Sequence, residues 1–290
     1  MKSALLIINY NDATTTMKLL ENVESYSSLN KIVVVDNHST DDSYEVLKKK
    51  ETSKIKIIKT KENKGYSSGI NFGARYLIEK FDIENILVSN ADIIIENEKD
   101  LQKLMQEAKK ATVGVVAPVI LEKGEKNRGW RLPTIGIDIL MNTPLLHRWV
   151  HKNKLLYEEK EYHSKITEVE AVSGCFFLVK GSVLKRIGFL DENTFLYYEE
   201  NILGSILKKY GYKTIIVNGS HVIHNHSVSI DKSVSKLRKY KILKQSQYYY
   251  EKEYQKAGKI SLFFLKCTSN IGYLFYNIYY RIQDSKGGKK

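Results

Sequence analysis

Ile86-Leu87-Val88-Ser89-Asn90-Ala91-Asp92 is followed at once by Ile93-Ile94-Ile95, so an apolar run of strand length breaks at a polar step and resumes. In an α/β chain, a carboxylate at the carboxyl end of a buried strand lies where ligands bind. Asp92 is therefore a candidate to hold a divalent metal, with Asn90 beside it. The same pair would also serve a plain turn, because Asn and Asp cap and reverse chains readily. The choice depends on whether other strand ends gather at the same rim.

Upstream, Ala4-Leu5-Leu6-Ile7-Ile8 is a continuous apolar strand ending in Asn9-Tyr10-Asn11-Asp12, and a helical pattern follows through Met17, Leu19, Leu20 and Val23. A second strand, Ile32-Val33-Val34-Val35, ends in Asp36-Asn37. Ser39-Thr40-Asp41-Asp42 then caps a helix carrying Val46 and Leu47. Ile55-Ile57-Ile58 makes a third strand, and Ile86-Leu87-Val88 the fourth. Strands alternating with helices predict βαβ units and a mostly parallel sheet with helices on both faces. Right-handed crossovers would then bring Asn9-Tyr10, Asp36-Asn37 and Asn90-Asp92 to one rim. That convergence favours a site over a turn.

Between the third and fourth strands, Gly65, Gly69 and Gly73 recur every fourth residue. On a helix they share a face and permit close packing on the sheet. The spacing is neither G-x-G-x-x-G nor G-x-x-x-x-G-K-[ST], which excludes the dinucleotide fingerprint and the phosphate loop of NTPases. The helix start near Tyr66 can still face a pyrophosphate.

The succession "IINYN", "VVVDNHSTDDS", "ENKGYSSGINFG" and "LVSNAD" resembles a family 2 glycosyltransferase with the GT-A fold, of the rhamnosyltransferase-like branch, over about residues 3–230. The resemblance implies an inverting transfer from a nucleoside-diphosphate sugar, a UDP- or dTDP-sugar such as rhamnose. It sets the base and ribose of the donor against Asn9, Tyr10 and Asp36, with Asn37 supporting, and brings Asn63–Gly65 and Asn71 near the nucleotide and sugar. It makes Asp92 the last residue of a metal-binding D-x-D motif whose first Asp is Asn90 here. A hard cation such as Mg²⁺ or Mn²⁺ then has one formal charge fewer beside it, since Asn offers only a neutral carbonyl.

Further along, "RIGFLDENTFLYYEENILGSILKKYGYK" resembles the segment in which Gly-Phe-Asp precedes Tyr-Glu-Asp and a helix. Matched by position, Glu200 takes the place of the catalytic base and Glu199 stands ready to orient the acceptor. An inverting transfer needs such a carboxylate to take the acceptor's hydroxyl proton. Both carboxylates would equally suit a helix start for electrostatic reasons alone. The family's His-Ser near the metal matches His224 best and His226 second, whereas His221 has no assigned role. Val113–Ala117 reads as a strand stopped by Pro118, residues 122–165 as irregular, and Trp130, Arg131 and Trp149 as acceptor-side candidates or packing rings.

Of the formal charge of +13, residues 231–290 contribute 14 Lys/Arg against 4 Asp/Glu. Ile260–Tyr280 is nearly long enough to span a bilayer but holds Lys266, Ser269, Asn270 and Asn277. This predicts a helical tail, 231–290, after a catalytic domain, 1–230. The tail would lie in an anionic membrane interface, with core packing as the competing role. Cys175 and Cys267, lone and far apart, suit a reducing interior. Residues 1–8 leave no room for a signal peptide. The expected setting is cytoplasmic, at the inner face of the cell membrane. The expected partners are the donor and a lipid-linked glycan or polysaccharide acceptor, with no nucleic acid and with a homo-oligomer allowed. A nucleotidyltransferase is disfavoured by the lack of a Gly-rich, Lys-bearing loop after the first strand, and a non-catalytic assembly or nucleic-acid-binding protein would leave Asp92 and Glu200 dispensable.

Overall fold

The computed structural model describes residues 1–143, 146–225 and 235–287, with side chains of the final helix described to residue 279. Strands β1 (Ser3–Asn9), β2 (Lys31–Asp36), β3 (Ile55–Lys59) and β4 (Asn85–Asn90) pair in parallel in the order β3-β2-β1-β4. Helices α1 (Ala13–Val23), α2 (Ser43–Lys48) and α3 (Tyr66–Phe81) make the crossovers. Strand side chains alternate between faces. Leu5 and Ile7 therefore pack with Leu19 and Leu20 of α1, whereas Leu6 and Ile8 share the opposite core with Ile70 and Leu77 of α3. Each such side chain, fully buried, stabilises the fold by about 1.5–3 kcal/mol.

Beyond β4 the sheet becomes mixed. The next elements are β5 (Ile93–Ile94), α4 (Glu98–Ala108), β6 (Val113–Glu122) and β7 (Glu125–Asn127). They are followed by α5 (Ile135–Met141), α6 (His147–Val150), β8 (Ile166–Val169), β9 (Phe176–Lys180), α7 (Gly181–Ile187), α8 (Glu199–Lys209) and β10 (Lys213–His224). The main sheet runs β3-β2-β1-β4-β9-β6-β10-β5, with β7 on β6 and β8 on β10. The parallel pattern returns only between β6 and β10, and β9 runs antiparallel to both β4 and β6.

Pro118 does not stop its strand. β6 continues to Glu122, and the ladder with β10 shifts register between Val217 and His221, just beyond the Val217–Pro118 pair. A proline is tolerated at such an irregularity because its missing N–H is not needed there. Residues 122–165 likewise carry the short elements β7, α5 and α6, and then a 3-10 turn at Glu159–Tyr162.

Two helices close the described chain, α9 (Lys236–Glu253) and α10 (Lys259–Gly287). α9 is built into the domain: Tyr250 and Glu251 are fully buried, Ser246 donates to Leu196 O at 2.8 Å, and Tyr249 donates to Asp191 at 2.8 Å. α10 rests on α9 and α5, burying Leu262 and Leu265. Its other side leaves Ile260, Phe263, Ile271, Leu274, Phe275 and Ile278 exposed, a stripe at helical spacing. Core packing and an open apolar face thus divide one helix between them. No helix among the described residues is long and apolar enough to cross a membrane.

Candidate active site

The strand ends meet as their order in the sheet requires. Asn9 pairs with Asp36 across β1 and β2, and Ile8 pairs with Asn90 across β1 and β4. Asn9 and Asp36 are fully buried. Asn9 Nδ2 donates to Asp36 Oδ2 at 3.1 Å, and the Ser39 N–H donates to Asp36 Oδ1 at 2.9 Å. Both residues hold the loop after β2 in place, leaving Tyr10, half-buried, as the more accessible side chain of this corner.

Asn37 is buried and donates to Asn63 Oδ1 at 3.2 Å and to Gly65 O at 3.1 Å. It therefore joins the β2 end to the loop that starts α3. Gly65 has φ +108°, and a Cβ there would stand 2.3 Å from the Phe195 carbonyl oxygen. Asn71, one turn into α3, is also buried and donates to Leu190 O at 2.8 Å and Glu192 Oε1 at 2.7 Å. Its amide fastens α3 to the segment that leads to Glu199 and Glu200.

Asp92 follows β4, and β10 ends beside it. The Asn225 N–H donates to Asp92 O at 2.9 Å, and His224 Nε2 lies 3.2 Å from Asp92 Oδ1. On the other side of the imidazole, Glu122 Oε1 stands 3.6 Å from Nδ1. Burial disfavours the imidazolium, but Asp92 and Glu122 outweigh it and hold the His224 pKa above its ordinary value. The sequence alone does not single out Glu122, because Pro118 reads as the strand's end; the strand continues through it and terminates at this rim. His221 pairs instead with Glu96, at 3.6 Å, and Asp100, at 3.9 Å. His226 lies outside the described residues.

One carboxylate and one imidazole are side chains that a divalent cation accepts, and Mg²⁺ or Mn²⁺ ordinarily completes its shell with substrate phosphates and water. Among the described residues no three His, Cys, Asp or Glu side chains converge as a self-sufficient metal cage. The residues therefore fit a cation that shares its shell with a diphosphate. Asn90 does not join Asp92 in facing this site freely, because its Oδ1 lies 2.7 Å from the Tyr66 hydroxyl.

Tyr198 adopts the left-handed conformation at φ +67° and launches α8, whose first turn carries Glu199 and Glu200. The two carboxylates diverge. Glu199 is buried, its Oε2 has no hydrogen-bond partner, and it lines a small void of about 20 Å³ with Tyr66, Ile70 and Val115. Burial, and then the charge of Glu200, hold its proton on well above the usual carboxylate range. Glu200 reaches that void and also a cleft of about 690 Å³ lined by Trp130, Pro133, Met141, Leu156, Tyr197 and Asn201 among others. Burial raises the Glu200 pKa, opposed by backbone N–H donors including Gly174 at 3.2 Å. Cys175, next in the chain, is pushed by burial to about 12 and stays a thiol.

Of the acceptor-side candidates, Trp130 lines this cleft and donates Nε1–H to Asn201 Oδ1 at 2.8 Å. Arg131 is bound to Leu156 O at 2.7 Å and Glu161 at 3.1 Å, and lies over the Tyr157 ring. Trp149 stands 57 % exposed on the surface.

Comparison with known proteins bears on the family and the fold. The family described as Glycosyl transferase family 2 matches residues 4–188. The low-salt glycan biosynthesis hexosyltransferase Agl10 of Haloferax volcanii is 29 % identical over 197 residues, covering 68 % of this chain and 58 % of its own. The chain thus spans little more than half the length of that relative. Among solved structures, the mannosyltransferase PcManGT of Pyrobaculum calidifontis, in complex with GDP-Man and Mn²⁺, superposes with a TM-score of 0.59 at 14 % identity. That superposition covers 93 % of this chain and 73 % of PcManGT. GalNAc-T7 with UDP, GalNAc and Mn²⁺ gives 0.59 at 16 % identity, covering 98 % and 58 %. These likenesses establish the GT-A fold.

Proposed function

The chain belongs to glycosyl transferase family 2, and from that premise we propose that it transfers a sugar, with inversion, from a nucleoside-diphosphate donor to a lipid-linked or cell-surface glycan. The observation that carries this reading is the placement of Glu200. Its carboxylate is held by the Gly174 N–H at the wall of the large cleft, at the start of the helix that Tyr198 launches.

In this reading the acceptor sugar enters the cleft beside Trp130, and Glu200 takes its hydroxyl proton as the oxygen attacks the anomeric carbon. Glu199, the residue before it, is buried, and that burial raises its carboxyl pKa. Tyr10 contacts the donor's base, while Asn9, Asp36 and Asn37 set the shape of the loops around the nucleotide. Asp92 and His224 would hold the divalent cation, which when bound supplies positive charge to the departing diphosphate. The apolar stripe of α10, flanked by basic residues, would lie on an anionic membrane that presents the acceptor.

The test is a panel of UDP-, dTDP- and GDP-hexoses with a polyprenyl-diphosphate-linked sugar as acceptor, with and without Mn²⁺, read by release of nucleoside diphosphate. Transfer with one donor is expected. Its absence with every donor overturns the proposal. Glu200→Gln is expected to keep donor binding and lower kcat by about 10²–10⁴-fold, the usual contribution of a positioned base.

A further inference from the structure

Tyr66 begins α3, and its hydroxyl lies between the end of β4 and the turn that precedes β9. Its Oη stands 2.7 Å from Asn90 Oδ1 and 2.9 Å from the Gly174 carbonyl oxygen. A hydroxyl has one proton, and a backbone carbonyl can only accept. Both contacts can be hydrogen bonds together in one arrangement: Tyr66 donates to Gly174, and the Asn90 amide is turned half about so that its NH₂ donates to the Tyr66 oxygen. The turn is fixed a second time by the Asn90 backbone N–H, which donates to Cys175 O at 2.8 Å.

What this turn presents is the Gly174 N–H, the donor to Glu200 Oε1 at 3.2 Å. The approach is close: a Cβ on Gly174 would sit 3.0 Å from that same oxygen. A line of hydrogen bonds therefore runs from the strand end beside Asp92, through one phenol and one glycine, to the carboxylate at the cleft wall.

We propose that Tyr66 is a positioning residue for Glu200, and that Asn rather than Asp stands at position 90 so as to donate to Tyr66 and not to ligate the metal. An aspartate at 90 has no proton to give. It would compete with Gly174 for the single Tyr66 proton, and one of the two acceptors would lose its bond. The missing first carboxylate of the D-x-D pattern is, in these terms, the condition for holding the Gly174 turn. The assignment rests on Glu200 acting as the base.

Three variants, Tyr66→Phe, Asn90→Asp and Glu200→Gln, are assayed with the hexose donor that the panel above identifies and the same polyprenyl-diphosphate-linked acceptor. Mn²⁺ binding to each protein alone is measured by electron paramagnetic resonance. Tyr66→Phe is expected to lower kcat about tenfold, the scale of one lost hydrogen bond, with donor KM and Mn²⁺ affinity unchanged. Asn90→Asp is expected to lower kcat likewise and to leave Mn²⁺ affinity as it was. Should Tyr66→Phe fail to fold, Asn90→Asp carries the test unaided. Wild-type kcat in either variant overturns the proposal, as does tighter Mn²⁺ binding by Asn90→Asp. Full transfer by Glu200→Gln instead overturns the assignment of the base, whatever the other two variants do.

Discussion

Tyr198 donates its hydroxyl to Asp138 Oδ1 at 2.8 Å, tying the residue that launches the Glu199–Glu200 helix to a buried carboxylate on α5. From α9, Gln247 Nε2 donates to the same hydroxyl oxygen at 3.0 Å, and Glu251 is fully buried one turn further along. Helix α9 thus helps to hold the residue that sets the two carboxylates in place. Burial, with the Asp138 charge second, pushes the Glu251 carboxyl from 4.5 to about 9, and burial raises Asp138 to about 6.

A pH dependence of stability follows. A carboxyl whose folded pKa is raised favours the folded state fully below its unfolded pKa, and that contribution is lost as pH rises towards the folded value. For Glu251 the loss runs from about pH 4.5 towards pH 9, with Asp138 adding to it up to about pH 6. Buried Lys244, lowered to about 8, acts with the opposite sign, but above that pH. Glu251→Gln cannot ionise and escapes the loss. Its Tm should exceed wild type at pH 8 by about 2–4 °C for each kcal/mol recovered, and approach wild type at pH 5. Equal Tm differences at the two pH values would show that Glu251 does not titrate in this range.

Glycines at two positions are expected to resist substitution for different reasons. A Cβ on Gly73 would lie 2.3 Å from Leu6 Cδ1 and 2.7 Å from Val35 Cγ2, both in fully buried side chains beneath α3. Gly73→Ala should therefore destabilise by about 1–3 kcal/mol through overpacking. Gly65→Ala meets a backbone oxygen that cannot rotate away, at a positive φ, and should lose more than Gly73→Ala. Gly136, with open space around it, is the control, expected within about 0.5 kcal/mol of wild type in urea denaturation.

The rim was legible because three of the first four strands, β1, β2 and β4, are apolar runs stopped by Asn or Asp, a purely local signal. Asn90-Ala91-Asp92 sat where that signal placed it, at a shared edge with Asn9 and Asp36. Glu122 was hidden by Pro118, since a proline in an apolar run reads as an end unless a bulge in the partner strand is known. The network of Asp138, Tyr198, Gln247 and Glu251 has no local pattern to announce it: it joins three segments that lie far apart in the chain. The buried face of α9 includes Ser246, Gln247 and Glu251, so hydropathy gives no hint of burial. Tyr250 is the largest fully buried side chain among the described residues.

Asp92 follows β4 at the candidate metal site. Its carboxylate faces His224 at 3.2 Å, and Asn90 brings no second charge. Asp92→Asn leaves a neutral amide and an imidazole as side-chain ligands, which hold Mn²⁺ poorly without phosphate. Mn²⁺ affinity measured by electron paramagnetic resonance should fall by at least about tenfold, and metal-dependent turnover should fall with it. Unchanged affinity would remove Asp92 from the metal site.

One face of α10 is an exposed apolar stripe. Phe263, Leu274 and Phe275 are 62 %, 58 % and 58 % exposed, whereas Leu265 of the same helix is 1 % exposed against the domain. Changing the first three to Ser leaves the packed side untouched, so the fold and its Tm should stay near wild type. Each large apolar side chain moved from water into lipid contributes about 1.5–3 kcal/mol, and each nearby Lys or Arg adds about 1 kcal/mol on an anionic surface. Wild-type protein should float with vesicles rich in phosphatidylglycerol, less so at high salt, and weakly with phosphatidylcholine alone. The triple variant should remain in the soluble fraction with both. Equal flotation of variant and wild type would mean that the stripe does not meet the bilayer, and self-association of wild type lost in the variant, seen by sedimentation, would assign the face to a second copy of the chain.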